Sequence, residues 1–292
     1  MRLLITGGSG FLGRHVLREA ARRGHVSVAL TRSDAAAAVV ASLGARPVHG
    51  DLDVPAGLGA VFASARCDAL VNLASLGFGH APAIVEAAAE ADLRRAVFVS
   101  TTAVATTLPA PAKQVRLAAE RRIRLSELDW TILRPTMIYG APGDRNLSRL
   151  LVLLSRAPAI PVPGGGRGLQ QPVHVADAAA AVLSAVERPA TAGRRYDVAG
   201  PEPLSFASLL RTAASAVASR TRLIPVPMAL AIAVARGCEQ VSRRRWIRAE
   251  QLRRLAEDKA FSIEDAARDL GYSPRSFPEG IRAEARAMGL AR

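Results

Sequence analysis

Two periodicities divide the first half of the chain. Short segments, most of them apolar, recur as candidate strands at 2–6, 26–31, 46–49, 68–73, 95–100 and 130–135. Their length and β-branched content predict strands. Between them, near 11–23, 34–43, 57–65, 81–92 and 112–128, apolar residues return every three or four positions. Leu12, Val16, Leu17 and Ala20 are the clearest example, and the spacing predicts one buried helical face. Strand and helix in strict alternation predict a parallel sheet covered on both sides. Ligands of such sheets bind outside the carboxyl ends of the strands.

The pattern changes after Gly140. Pro142, Pro158, Pro161, Pro163 and Gly164-Gly165-Gly166 cut the chain into short pieces. Helices are expected at 146–156, 175–187, 205–218, 262–269 and 278–289, and over 228–257 with a break, with one strand at 194–198. The expected division is therefore residues 1–140, the sheet domain, and 141–292, a smaller and mainly helical lobe partly interleaved with it.

Directly after the first apolar run stands Thr6-Gly7-Gly8-Ser9-Gly10-Phe11-Leu12-Gly13. A strand, closely spaced glycines and a helix together predict a dinucleotide cradle. Gly7, Gly10 and Gly13 serve a sharp turn, a close backbone approach to pyrophosphate, and tight packing of helix on sheet. The helix beginning at Phe11 and Leu12 points free N–H groups at the phosphates. The fold class expected is α/β, a Rossmann-type doubly wound parallel sheet with a C-terminal substrate lobe.

Composition adds limits. The chain has 292 residues, with 39 Lys and Arg against 25 Asp and Glu, a net charge of +14. Such an excess favours anionic partners. The arginines are dispersed and accompany no nucleic-acid-binding signature, so nucleic acid is not expected. Cys67 and Cys238 are too few and too distant for a disulfide framework or a zinc site, and no metal is expected. The start lacks the long apolar core of a signal peptide, so a cytoplasmic location is expected.

The residue ending the second strand selects the dinucleotide. An acid there bonds the ribose hydroxyls of NAD; an arginine holds the extra phosphate of NADP. Arg32 follows Gly13 at the right distance, with Ser33 and Arg14 as assistants, so NADP(H) is preferred and NAD(H) second. Asp34 opposes this unless it caps the next helix. Asp51, with Leu52 beside it, either meets the adenine amino group or caps a helix. Ala74, in Asn72-Leu73-Ala74-Ser75, places small residues and backbone against the cofactor.

These motifs resemble the extended and atypical short-chain dehydrogenase/reductase superfamily, which contains nucleotide-sugar epimerases and dehydratases. TGGSGFLG at 6–13, HGDL at 49–52, NLAS at 72–75, VFVSTT at 97–102, LRPTMIYG at 133–140, QQPVHVADAA at 170–179 and LGYSPRSFPEGI at 270–281 carry the resemblance over nearly the whole chain. It implies NAD or NADP as cofactor, with Ser100 and Pro135 beside it. It also implies a Ser or Thr after strand five, and a Tyr four residues before a Lys on the next helix. Thr102 matches the first.

The second is missing. Tyr139, Tyr196 and Tyr272 are the chain's three tyrosines, and none lies on that helix. Glu120 aligns Arg116 with the family's Lys and Ala112 with its Tyr; aligning on Lys113 brings Pro109 to the Tyr position. Arg116 can hold the ribose but cannot release a proton. Tyr139 and His80 are the candidate substitutes, set against roles as a pocket wall and as a helix-start residue. Phe78, Met137, Arg167 and Gln171 are the candidate substrate pocket.

The reading is an NAD(P)(H)-dependent oxidoreductase or epimerase-like enzyme with a nonstandard proton donor. Its substrate would be a carbonyl, hydroxyl, nucleotide-sugar-like or lipid-linked small molecule. The alternative is a noncatalytic NADP(H)-binding redox sensor or assembly protein. A homodimer is compatible with both. Residues 223–248 turn from apolar to sharply basic at Arg243-Arg244-Arg245-Trp246. They read as a helix packed on its own domain, or else as contact with an anionic membrane.

Overall fold

The computed structural model describes residues 1–140, 144, 146–241 and 249–291. In chain order the strands are β1 Arg2–Thr6, β2 Val26–Thr31, β3 Arg46–His49, β4 Ala69–Asn72, β5 Arg95–Val99, β6 Asp129–Pro135, β7 Ile138–Tyr139, β8 Ala159–Pro163, β9 Leu169–Gln170, β10 Val173–His174, β11 Arg194–Val198, β12 Leu204–Ser205 and β13 Arg222–Val226. The helices are α1 Phe11–Arg22, α2 Asp34–Ala41, α3 Leu58–Ala65, α4 Ala81–Glu90, α5 Pro111–Arg124, α6 Leu147–Arg156, α7 Val175–Glu187, α8 Phe206–Ala216, α9 Met228–Val241, α10 Ala249–Ala256, α11 Glu264–Leu270 and α12 Phe277–Ala287.

Seven strands form one sheet in the order β11-β6-β5-β4-β1-β2-β3, every pair parallel. The protein has the Rossmann-like α/β fold. Leu3, Leu4 and Ile5 are consecutive and fully buried, as are Val28, Leu70, Val71, Val97, Phe98 and Ile132. Burial of successive residues on both faces requires helices above and below, and each such side chain contributes about 1.5–3 kcal/mol. The strand order reverses between β1 and β4, so the loops leaving these two strands diverge and open a crevice.

The chain divides into two compact units. The first is Met1–Ile138, Val175–Val198 and Ser262–Ser273; the second is Tyr139–His174, Ala199–Phe261 and Pro274–Arg292. Strand β11 and helix α7, both beyond residue 140, belong to the first unit. Within it α7 packs on α1, and Glu187 binds Arg23 at 2.8 Å and His25 at 2.7 Å.

The second unit holds the short strands that the sequence reading passed over. β8 pairs in parallel with β13 although they contain Pro161, Pro163 and Pro225. Each has only one bonded edge, and an edge strand tolerates proline because its missing N–H faces no partner. Its helices begin and end close to expectation; the break expected over 228–257 falls on residues 242–248, outside the described residues.

Candidate cofactor site

The cradle is built by steric exclusion at the end of β1. Gly7 has φ +70°, and a Cβ there would lie 2.8 Å from the Ala74 amide nitrogen. At Gly13 a Cβ would lie 2.2 Å from the Gly7 carbonyl oxygen. A side chain at either position would force the loop off the neighbouring β4 loop or α1 off the sheet. Phe11 and Leu12 open α1. Its N-cap, Gly10, makes no side-chain cap, and the first turn carries no acid. The first-turn N–H groups are therefore left for an anion, and the positive helix end favours one. This is the fit expected for the diphosphate of a dinucleotide.

A cleft of about 410 Å3 continues from the cradle toward β2 and β3. Gly7, Arg32, Asp51, Leu52 and Ala74 line it, together with Asp53, Phe78 and His80. Thr6 Oγ1 donates to Asn72 Oδ1 at 2.6 Å, and Asn72 Nδ2 donates to the Ala74 carbonyl at 3.1 Å. These bonds fix the floor where β1 and β4 separate. The Arg32 side chain is 70% exposed and stands 3.7 Å from Asp53, so a bound phosphate competes only with a weak surface pair. Arg14 Nε donates to the Ser9 carbonyl at 2.9 Å, which ties this side chain to the glycine turn.

Several expected roles change. Asp34 does not cap α2; Ser33 does, accepting from the Ala36 amide at 3.3 Å. Asp51 caps no helix either: it accepts from the Asp53 amide at 3.0 Å in a tight turn, and α3 starts later, after Gly57. His80, weighed as an acid over the nicotinamide against a helix-start residue, is the N-cap residue of α4 and binds Asp53 at 2.8 Å, at the cleft end that holds Arg32. Phe78, a candidate for the substrate pocket, is 75% exposed and lines that same end. The loop after β4 crosses toward β3, because β1 and β2 lie between them in the sheet.

On the other side of the crevice, α5 brings its polar residues to the ends of β4 and β5. Glu120 is buried and bound to Arg134 at 2.5 Å and to Ser100 Oγ at 2.6 Å. One turn earlier, Arg116 lies against Gly77, in the Leu76–Phe78 turn after β4. Register on Glu120 thus places Arg116 beside the cofactor crevice, with Ala112 one turn further. Lys113 Nζ donates to the Thr106 carbonyl at 2.5 Å.

The hydroxyls after β5 are distributed unevenly. Ser100 donates to Glu120. Thr102, the expected match to the family's hydroxyl, is buried and directs its hydroxyl to the carbonyl of Pro135 at 3.4 Å. Thr101 accepts from the Ala103 amide at 3.2 Å and retains its own proton to donate. Ser100-Thr101-Thr102 offers three hydroxyls in the sequence, with Thr102 the best positional match; only the 3-10 turn Thr102–Ala105, which turns Thr102 inward, distinguishes it from Thr101.

Tyr139 belongs to the second unit and is 1% exposed. Its ring stacks edge-on to His174 and against Phe277, both at 5.4 Å, and its hydroxyl abuts Gly280 of α12. It is a packing residue rather than a proton donor. Gln171, expected in the substrate pocket, is buried and spends its amide on the Gly200 carbonyl at 2.8 Å and on both backbone groups of Phe261. Arg167 is exposed after the Gly164–Gly166 turn, and Met137 is half-buried between β6 and β7.

Comparison with known proteins agrees with this geometry. A family model described as NAD(P)H-binding matches residues 7–189. The 2-alkyl-3-oxoalkanoate reductase of Stenotrophomonas maltophilia is 29% identical, over 97% of this chain and 98% of its own. A farnesyl-dihydroquinoline-oxide ketoreductase of Stigmatella aurantiaca is 28% identical over 97% and 95%. A photosystem II assembly factor of Synechocystis is 25% identical over 79% and 72%. The crystal structure of a UDP-glucose 4-epimerase with UDP-glucose from Thermotoga maritima superposes with a TM-score of 0.77 at 15% identity, covering 99% of both chains. The chain belongs to the NAD(P)H-binding family, within the atypical short-chain dehydrogenase/reductase superfamily of epimerase- and dehydratase-like proteins.

Proposed function

We propose that the protein is an NADPH-dependent ketoreductase acting on a ketone that carries an alkyl or prenyl chain. The observation carrying the cofactor choice is Arg32, exposed at the end of β2 and lining the cleft. A guanidinium there suits the 2′-phosphate. The substrate class is supported by two relatives matched over nearly their whole length, each named as a reductase of a ketone on a lipophilic chain.

Held by the Gly7–Gly13 turn and Arg32, a reduced nicotinamide cofactor would supply hydride chemistry to a carbonyl carbon. The chain's own task is to hold the carbonyl and offset the charge that develops on its oxygen. Thr101 donates its hydroxyl to that oxygen. Arg116 and Lys113, on the first turns of α5, provide positive charge. The resulting alkoxide is basic enough to take its proton from water, so no tyrosine acid is needed.

The test follows NADPH absorbance with β-keto acids and prenylated ketones. Thr101→Ala is expected to lower kcat by about 100-fold, the usual loss for one oxyanion donor. Thr102→Val is expected to stay within about threefold of the parent. Tight NADPH binding with no turnover of any ketone would favour instead the noncatalytic sensor or assembly role.

A further inference from the structure

We propose that the outer face of α9 is a docking surface for an anionic lipid bilayer. Surface helices ordinarily turn a polar stripe to water. In α9 the residues that reach solvent through Gly237 are Ala229, Leu230, Ala233, Val234, Arg236 and Gly237. They fall on one side of the helix. Leu230 is 54% exposed and Val234 57%, one turn apart. The opposite side, Met228, Ala231, Ile232 and Ala235, is already used, packing on Leu252 and Leu255 of α10. Over Met228–Gly237 the helix is thus apolar on both sides, and the solvent stripe of these residues holds one cation and no acid. Ile224 on β13, four residues before the helix begins, is a further exposed apolar residue.

Charge identifies the occupant. The second unit contains 19 Lys and Arg against 8 Asp and Glu, a net +11, whereas the first contains 20 against 17, a net +3. Nearly all of the chain's +14 therefore belongs to the unit that carries α9. Without the four arginines of 242–248, which lie outside the described residues, the second unit still has 15 cations against 8 acids. An apolar helical stripe within a strongly cationic unit matches the interface of a bilayer containing anionic lipids. Nucleic acid would satisfy the charge and leave Leu230 and Val234 without a partner. The helix spans about 21 Å at 1.5 Å per residue, too short to cross a bilayer, so it lies in the interface plane.

The test is co-sedimentation of the full chain with phosphatidylcholine vesicles, with and without phosphatidylglycerol. Binding is expected to the anionic vesicles and to weaken with salt. Leu230→Ser with Val234→Ser is expected to lower partitioning by about tenfold while leaving NADPH affinity and Tm unchanged. Arg236→Glu, whose side chain is exposed, gives a second readout if the double variant folds poorly; it should weaken binding to anionic vesicles only. The proposal is overturned if the parent chain stays in the supernatant, or if the double variant pellets as well as the parent. Tighter binding to duplex DNA than to vesicles overturns it too, as does a dimer that the double variant dissolves. No arm requires turnover, so this inference and the ketoreductase reading fail separately.

Discussion

Single residues decide whether the cofactor site exists. Gly13→Ala would place a methyl group where the Gly7 carbonyl already stands, so the loop must open. NADPH binding is expected to disappear in calorimetry, while far-ultraviolet circular dichroism keeps its α/β form. Arg32→Ser should weaken NADPH by about tenfold to a hundredfold, the range for losing a charged hydrogen-bond partner, and leave NADH within about twofold. Titration with both nucleotides checks this; equal losses for the two would sink the assignment of Arg32 to the 2′-phosphate. The glycines and Arg32 were legible in the sequence because their roles depend on chain spacing alone. The helix-start place of His80 was legible too, but the side on which Phe78 lies was not, because it depends on which way the loop after β4 crosses the sheet. The wall role of Tyr139 was readable from its place after β6; the partners that enclose it were not, because α12 begins almost 140 residues later.

Elements are held by a few buried charges as well as by apolar faces. Glu120 joins α5 to β6 through Arg134 and to the end of β5 through Ser100. Removing one partner of such a pair leaves the other buried and unpaired. Glu120→Ala is expected to cost about 3–5 kcal/mol in urea unfolding. Helices α6 and α12 meet at a different kind of pair. Asp144 Oδ1 accepts from the Asn146 and Ser148 amides at 2.7 and 3.1 Å, at the start of α6. Glu284 of α12 is fully buried beside it, and burial together with the Asp144 charge pushes its carboxyl from about 4.5 up to about 9. A protonated Glu284 supplies the donor that Asp144 Oδ2 otherwise lacks. The folded chain thus holds a proton that the unfolded chain releases above its ordinary value. Stability is full below pH 4.5 and falls as pH rises toward about 9. Glu284→Gln should flatten that slope in thermal melts taken across this range. A slope unchanged in the variant would show that other groups cause it.

For the molecule as a whole, ligand binding and lipid docking belong to different units. At 100 times its Kd, NADPH should stabilise the fold by about 2.7 kcal/mol. In hydrogen exchange the protection should concentrate in residues 7–14 and 31–36, with α9 unaffected. Uniform protection would mean that the two units open together. Among the described residues no helix is long and apolar enough to cross a membrane. The sequence by itself determined the parallel sheet, the order of its helices and the dinucleotide cradle. Each of these follows from local periodicity, or from glycines whose neighbours in space are neighbours in the chain. Only the tertiary structure decided which hydroxyl after β5 is free to donate and where the loop after β4 ends. It alone showed that Tyr139 lies between His174 and Phe277, that Gln171 is hydrogen-bonded to distant backbone, and that Leu230 and Val234 of α9 are exposed. Those outcomes depend on which distant segments compete for each side chain, and that competition is settled by packing.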